Sequence, residues 1–309
     1  MQIDKPRVSI GLAVYNGEQY LSQAIDSILA QTFTDFELIL SDNASIDHTQ
    51  DICKSYATKD KRIRYCRNQE NIGGANNENQ TFRLSRGEYF RWAAHDDALA
   101  PELLERCIEV LDKRSDIVMC YPRAFNIDEH GNILGEYDDN FGFQFAQPHK
   151  RFKGVLKGMW GHAGNPMFGI VRRELMAKTA LIAPFPASDM TFIAELSLYG
   201  KFYEIETRLY FHRIHMGMSN KLGLTSSEYT AWHDRSKAGK LSFPKILRLK
   251  ALLAGIKKSP ISLKEKIKCY VHVFGYYTSL KNIPKIWHQI KYNVSIRSKR
   301  LKSRLSRTK

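Results

Sequence analysis

Acidic residues all but vanish from the last 70 positions of this 309-residue chain. From Lys240 to Lys309 there are 19 Lys and Arg against one acid, Glu265, a net of +18. The preceding 239 residues carry 28 basic and 31 acidic side chains, so the overall +15 belongs to the tail. Cysteine is scarce as well. Five are present (Cys53, Cys66, Cys107, Cys120 and Cys269), an odd number without CxxC spacing. That argues against a zinc ribbon or a disulfide framework and reads as reduced thiols in a cytoplasmic protein. No run approaches the roughly 18 apolar residues of a membrane-spanning helix. The start, MQIDKPRVSIGLAVYN, has neither a charged n-region nor a long apolar h-region, so no secretory signal is expected. Disorder is not expected either: 43% hydrophobic residues, with 16 Phe and 15 Tyr, can bury a sizeable core.

Strands and helices alternate through the first half. Val8–Val14 is a β-branched apolar run broken by Tyr15-Asn16-Gly17, and Glu18–Thr32 follows with helical spacing at 21, 24, 25, 28 and 29. Phe36–Ser41 predicts a second strand ending at Asp42-Asn43, Ser45–Lys59 a second helix, and Arg62–Cys66 a third strand. Asn71–Ser85 opens with two glycines and reads as a loop into a helix; the Tyr89 strand and a Pro101–Lys113 helix come next. Val118–Tyr121 predicts a strand, and Ile127–Leu134 has hairpin turn chemistry. This rhythm means βαβ units and a mainly parallel sheet, with ligands held beyond the carboxyl ends of the strands. From Asp138 to Met159 the pattern is irregular, so loops and a mobile segment are expected. Asn165–Val171 resumes as a strand, Ser188-Asp189 opens a helix through Leu198, and Phe202–Tyr210 gives one or two strands. Three basic amphipathic helices are predicted over Phe243–Lys258, Ile261–Leu280 and Ile283–Leu301, with Ser262 and Glu265 forming a capping box.

One short segment carries the chemistry. YFRWAAHDDALAP ends an apolar strand in the pair Asp96-Asp97. Neighbouring carboxylates repel, and burial pushes one towards neutrality. A hard cation, Mg²⁺ or Mn²⁺, removes the conflict by taking carboxylate oxygens and bridging to phosphates. An acidic helix start before Pro101 and Glu102 is the plainer alternative.

Taken in order, VSIGLAVYNGEQYL, ELILSDNASIDHT, NIGGANNEN and the acid pair resemble glycosyltransferase family 2. The later segments NPMFGIVRREL, ASDMTFIAELSLYGKF and YFHRIHMGMS are also similar to it. The resemblance implies an α/β GT-A (Rossmann-like) fold over residues 1–220, and the change in composition sets 221–309 apart as a basic helical extension. It implies an inverting, metal-dependent enzyme using a nucleotide-sugar, UDP-linked before GDP or dTDP, and Mg²⁺ or Mn²⁺. By the same resemblance Tyr15 stacks on the base beside Asn16, and Asp42 reads a base N–H. Asn71, Gly73 and Gly74 line the phosphates, Asp96 holds the ribose, and Asp97 with His215 holds the metal. Arg213 lies near the diphosphate, and Asp189 is the base on the acceptor hydroxyl. Plainer roles stand beside these: Asp42 as a turn former, Asp189 as a helix N-cap, the glycines as a structural loop. Ala13, Asn43 and Ala94 depart from the family pattern. They leave base selectivity open, and with it which aspartate of the pair meets the ribose.

The tail fits an anionic bilayer at the inner face of the cell membrane, where a saccharide or lipid-linked saccharide would be the acceptor. A solvated helical cover is the plainer reading. Nucleic acid shares the charge logic but suits the attached domain less well. Two other functions compete. A nucleotidyltransferase of related fold would carry a basic Gly-rich loop after the first strand, and GLAVYNGEQYL has no Lys or Arg. A catalytically idle protein binding membrane or nucleic acid is the other, and Asp42, Asp97 and Asp189 argue against it.

Overall fold

A computed structural model of the chain describes residues 5–138, 143–158, 165–218, 226–240 and 242–279. Its first half is the alternation the sequence predicts: β1 (Val8–Val14), α1 (Leu21–Leu29), β2 (Phe36–Asp42), α2 (Thr49–Lys59), β3 (Ile63–Arg67), α3 (Gly74–Leu84) and β4 (Tyr89–Ala93). All seven residues of β2 are buried, as they must be in a parallel sheet covered on both faces. β1 runs parallel to both β2 and β4, with Val8 opposite Phe36 and Tyr89, and β3 lies parallel outside β2. The order β3-β2-β1-β4 places a topological switch point between β1 and β4.

The second half is different. β5 (Ala98–Leu99), α4 (Leu103–Lys113), β6 (Ile117–Ile127), β7 (Ile133–Tyr137), α5 (Pro148–Gly158), β8 (Ile170–Arg172) and α6 (Arg173–Met176) lead to α7 (Ser188–Leu196) and β9 (Lys201–Arg213). The sheet continues β4-β8-β6-β9-β5, with β8 antiparallel to both neighbours, β6 parallel to β9, and β7 completing a hairpin on β6. The mainly parallel arrangement therefore holds on one side and becomes mixed on the other, where β8 runs antiparallel between β4 and β6. Phe202–Tyr210 belongs to one 13-residue strand. The expected mobile segment at 138–159 contains α5 instead: Phe152, Val155 and Leu156 at helical spacing are buried, an apolar stripe its Lys and Arg residues obscured.

α8 (Ser226–His233), α9 (Pro244–Lys258) and α10 (Leu263–Tyr277) follow. The predicted helix at Ile283–Leu301 lies outside the described residues. Ser262 caps α10, accepting the Glu265 N–H at 3.4 Å. The capping box is not closed, because Glu265 turns to the His149 N–H (3.1 Å) and ring (2.6 Å) on α5.

Two cores flank the sheet. Along β4, Tyr89 and Ala93 face one and Phe90 and Trp92 the other, the alternation a strand imposes. Leu252, Ile256, Cys269 and Val273 from α9 and α10 complete the second core with Phe152 and Phe192.

Candidate active site

The loop after β1 turns at Asn16, whose φ of 52° is left-handed, a conformation asparagine tolerates. Its N–H donates to Ser45 Oγ and its Oδ1 accepts the Ile46 N–H, both at 2.9 Å, tying the loops after β1 and β2 together. Tyr15 beside it leaves 37% of its surface exposed. Asp42 is fully buried and occupied: it accepts from Ser45 N–H (2.8 Å), Tyr65 Oη (3.0 Å) and the Arg67 guanidinium. Arg67, with 30% of its side chain exposed, also donates to the Ser45 carbonyl at 2.8 Å. Solvent thus meets Arg67, while Asp42 shapes the loop from beneath.

Amides hold the next loop. Asn43 Oδ1 accepts the Ile72 N–H (2.9 Å) and Asn68 Nδ2 (3.0 Å), while its Nδ2 donates to Asn71 Oδ1 (3.1 Å). A carboxylate at 43 could only accept, so asparagine here closes a network that aspartate could not. Asn71 Oδ1 also accepts the Gly73 N–H at 2.9 Å. Gly73 has φ +91°, and a Cβ there would fall 2.4 Å from the His233 carbonyl oxygen. One at Gly74 would fall 2.9 Å from the Trp232 ring. The close approach these glycines permit within the fold is to α8.

The two adjacent aspartates face opposite ways. Asp96 Oδ2 lies 2.9 Å from His215 Nε2, and the His215 ring packs 5.0 Å from Tyr20. Burial alone would raise the Asp96 pKa, but His95 and His215 outweigh it and hold the carboxyl below its ordinary value. Arg213 Nε donates to the Asp96 carbonyl at 2.7 Å, and its guanidinium sits 4.7 Å over the Tyr20 ring. Asp97 turns inward, accepting the Tyr210 hydroxyl and the Arg213 N–H (2.8 Å) with His212 Nδ1 at 3.3 Å. Behind it lies Arg91, fully buried, whose two Nη atoms have no hydrogen-bond partner among the described residues. A buried guanidinium needs a nearby negative charge, and Asp97 supplies part of that field. Of the expected metal pair, His215 therefore meets Asp96, whereas Asp97 is committed to the interior.

Three consecutive residues of α3 reach three different places, because successive helical positions diverge by about 100°. Asn77 bonds Ser41 Oγ (2.7 Å) and Asn68 (3.0 Å) at the ends of β2 and β3. Asn79 clamps Ile182 through both its N–H (3.1 Å) and its carbonyl (2.7 Å), fixing the approach to α7. Glu78, between them, faces Asp189, and burial together with that second carboxylate pushes it up to about 8. Asp189 lies in the first turn of α7, after Ala187 in a left-handed conformation (φ 58°), so the N-cap position falls to Ala187. Burial raises its pKa, partly offset by the Met190 backbone and by Arg248 of α9.

Residues 9–176, more than half of the chain, match the family model described as Glycosyl transferase family 2. The chain belongs to that family. This family 2 glycosyltransferase is 37% identical over 153 residues to an uncharacterized glycosyltransferase of Methanocaldococcus jannaschii, covering 49% of this chain and 52% of that protein. It is 33% identical over 129 residues to a chondroitin synthase of Escherichia coli, covering 42% of this chain and 19% of that protein. The chain thus matches about half, or much less, of these relatives' own length. The fold matches a crystal structure of S. aureus TarS residues 1–349 in complex with UDP-GlcNAc at a TM-score of 0.66 and 16% identity. That match covers 93% of this chain and 80% of TarS 1–349. A UDP complex of TarS gives 0.62 and 15%, covering 90% and 73%. The α/β GT-A architecture of the glycosyltransferase is thereby established.

Several residues of the site escaped the sequence reading. Arg91 sat within an apparently apolar strand, Arg67 and Asn68 carried no motif, and Glu78 lay inside NIGGANNEN without being singled out. The unusual density of amides in NNENQ was the available signal for Asn77 and its neighbours.

Proposed function

We propose that this glycosyltransferase moves a sugar, with inversion, from a UDP-sugar to a saccharide or lipid-linked saccharide acceptor in cell-surface polysaccharide synthesis. The observation that carries the reading is Asp96 facing His215 beyond the carboxyl end of β4, beside the switch point where α/β sheets hold ligands. The UDP and UDP-GlcNAc complexes of TarS, similar in fold, support the choice of donor.

Tyr15 offers its exposed ring to the base, and Arg67, held by Asp42, bonds the same Ser45 that anchors the Asn16 turn. No cluster of three or more His, Cys, Asp or Glu able to hold a metal occurs among the described residues. Asp96 and His215 nonetheless fit Mg²⁺ or Mn²⁺, cations that take one or two protein ligands and complete their shell from phosphates and water. A cation there supplies charge neutralisation for the departing diphosphate. Arg213, fixed beside Asp96, adds a permanent positive charge near the same point.

Asp189 accepts the proton of the acceptor hydroxyl. The hydroxyl oxygen bonds the anomeric carbon, the carbon–phosphate-oxygen bond breaks, and its electron pair leaves with the nucleoside diphosphate. Glu78 keeps its proton at neutral pH, so the two carboxyls divide the roles that unlike environments permit. Through its basic C-terminal residues the protein attaches peripherally to the inner face of the cell membrane. Among the described residues, no helix is long and apolar enough to cross a bilayer.

A panel of UDP-, GDP- and dTDP-sugars tests the reading, with thermal shift and donor hydrolysis read with Mn²⁺ and with EDTA. A UDP-sugar should raise Tm and be hydrolysed only with the cation. Full activity in EDTA removes the metal from the scheme, and Asp189→Asn with unchanged kcat removes the base.

A further inference from the structure

We propose that α10 rests on an anionic phospholipid surface through Leu263, Ile267, Val271 and Phe274; this builds on the peripheral-membrane reading above. These four side chains are 73%, 54%, 62% and 56% exposed, although α10 belongs to a well-packed region. At about 100° per residue their spacing confines them to an arc of about 80°. Cys269 and Val273, which are buried in the second core, lie on the opposite side of the helix. The exposed stripe is therefore a second apolar face, and not a fraying of the packed one.

Its surroundings select the partner. On the helical wheel Lys264 and Lys268 flank one side of the stripe and Lys266 the other, with exposed Lys257 and Lys258 ending the preceding helix α9. The sole acid of the segment, Glu265, is turned away to His149 on α5. A second copy would bring the same lysines face to face. Residues 280–309 carry ten Lys and Arg and no acid, so they too would meet like charge. An apolar stripe edged by lysines suits an interface of acyl chains and anionic headgroups. At 15 residues α10 is about 22 Å long, which fits lying on the surface and not spanning it.

The placement also bears on the acceptor. α10 pairs with α9, with Tyr277 Oη donating to the Lys245 carbonyl at 3.2 Å. Arg248 of α9 reaches the Pro186 carbonyl at 3.2 Å, just before α7 and Asp189. The surface-bound helix is one helix removed from the proposed base, a short path for an acceptor carried on a lipid.

Co-sedimentation of the full chain with phosphatidylcholine vesicles, with and without phosphatidylglycerol, tests the inference. The wild type should bind only the anionic vesicles. Ile267→Glu/Val271→Glu should lower that partition by about tenfold or more, leaving Tm and donor-sugar hydrolysis unchanged. In the single variant Val271→Trp, tryptophan emission should shift to the blue on binding and be quenched by brominated lipid. Wild-type-like binding by the double variant overturns the role of α10 and leaves the membrane reading standing. Absence of binding by the wild type overturns both. Equal binding to neutral vesicles overturns the anionic choice, and a dimer that the double variant converts to monomer replaces the bilayer with a second copy.

Discussion

Polar groups near the ends of β1–β3 and those around α7 and α8 live under opposite conditions. Asp42, Asn43 and Asn77 are buried, and each is bonded to several neighbours. Glu78 and Asp189 are instead held off their ordinary pKa values chiefly by burial, and His233 has no hydrogen-bond partner for either ring nitrogen among the described residues. A satisfied network fixes shape, whereas titratable groups kept short of partners retain reactivity. We propose that the first region is a mould for the donor and the second the place where a proton moves.

The sharpest way to break that division is to exchange the fates of Asp96 and Asp97. Asp96→Ala should lower kcat by about a thousandfold or more, in line with lost cation-assisted catalysis, with Tm almost unchanged. Asp97→Ala should instead destabilise the fold by about 3–5 kcal/mol, since it leaves the buried Tyr210 hydroxyl and the Arg213 N–H without their acceptor and removes a negative charge from the field around buried Arg91. Urea unfolding and steady-state kinetics on both variants decide, and a stable Asp97→Ala protein with no activity reverses the assignment.

Glu78 offers a pH test of smaller size. Its folded pKa of about 8 stands above its unfolded value, so its contribution to stability is complete at low pH and is lost as pH rises towards 8. Glu78→Gln should therefore be near neutral at pH 5 and stabilising by about 1–3 kcal/mol at pH 9. A constant difference across that range in thermal melts would mean Glu78 is ordinary. His233 runs the other way. Burial lowers it to about 4, so its share of stability is lost as pH falls from its unfolded value through 4. His233→Leu should flatten the acid limb of the melting profile between pH 6.5 and about 4.

On the donor side, Tyr15→Ala should raise the KM for the UDP-sugar by about tenfold with kcat nearly constant, because stacking precedes and outlasts the chemical step. A fall in kcat at unchanged KM would move Tyr15 out of the donor pocket.

Much of this was legible in the chain. The parallel strands β1–β4 follow from uninterrupted apolar runs ending at turn formers, since local burial and turn chemistry are written in consecutive residues. The hairpin at 127–133 and the helices α9 and α10 were legible for the same reason. α5 was not, because its apolar stripe is interleaved with lysines and arginines that resemble a loop.

The sequence by itself determined the family and the parallel β1–β4 half of the sheet, as well as the segregation of positive charge into the tail. Only the tertiary structure decided that Asp96 meets His215 while Asp97 turns to Tyr210 and the Arg213 N–H, since neighbouring side chains diverge as the strand gives way to a loop. It alone brought α8 onto Gly73 and Gly74, and Glu78 against Asp189 across 110 intervening positions. Contacts between distant segments depend on how the sheet and helices pack, and no local pattern encodes them.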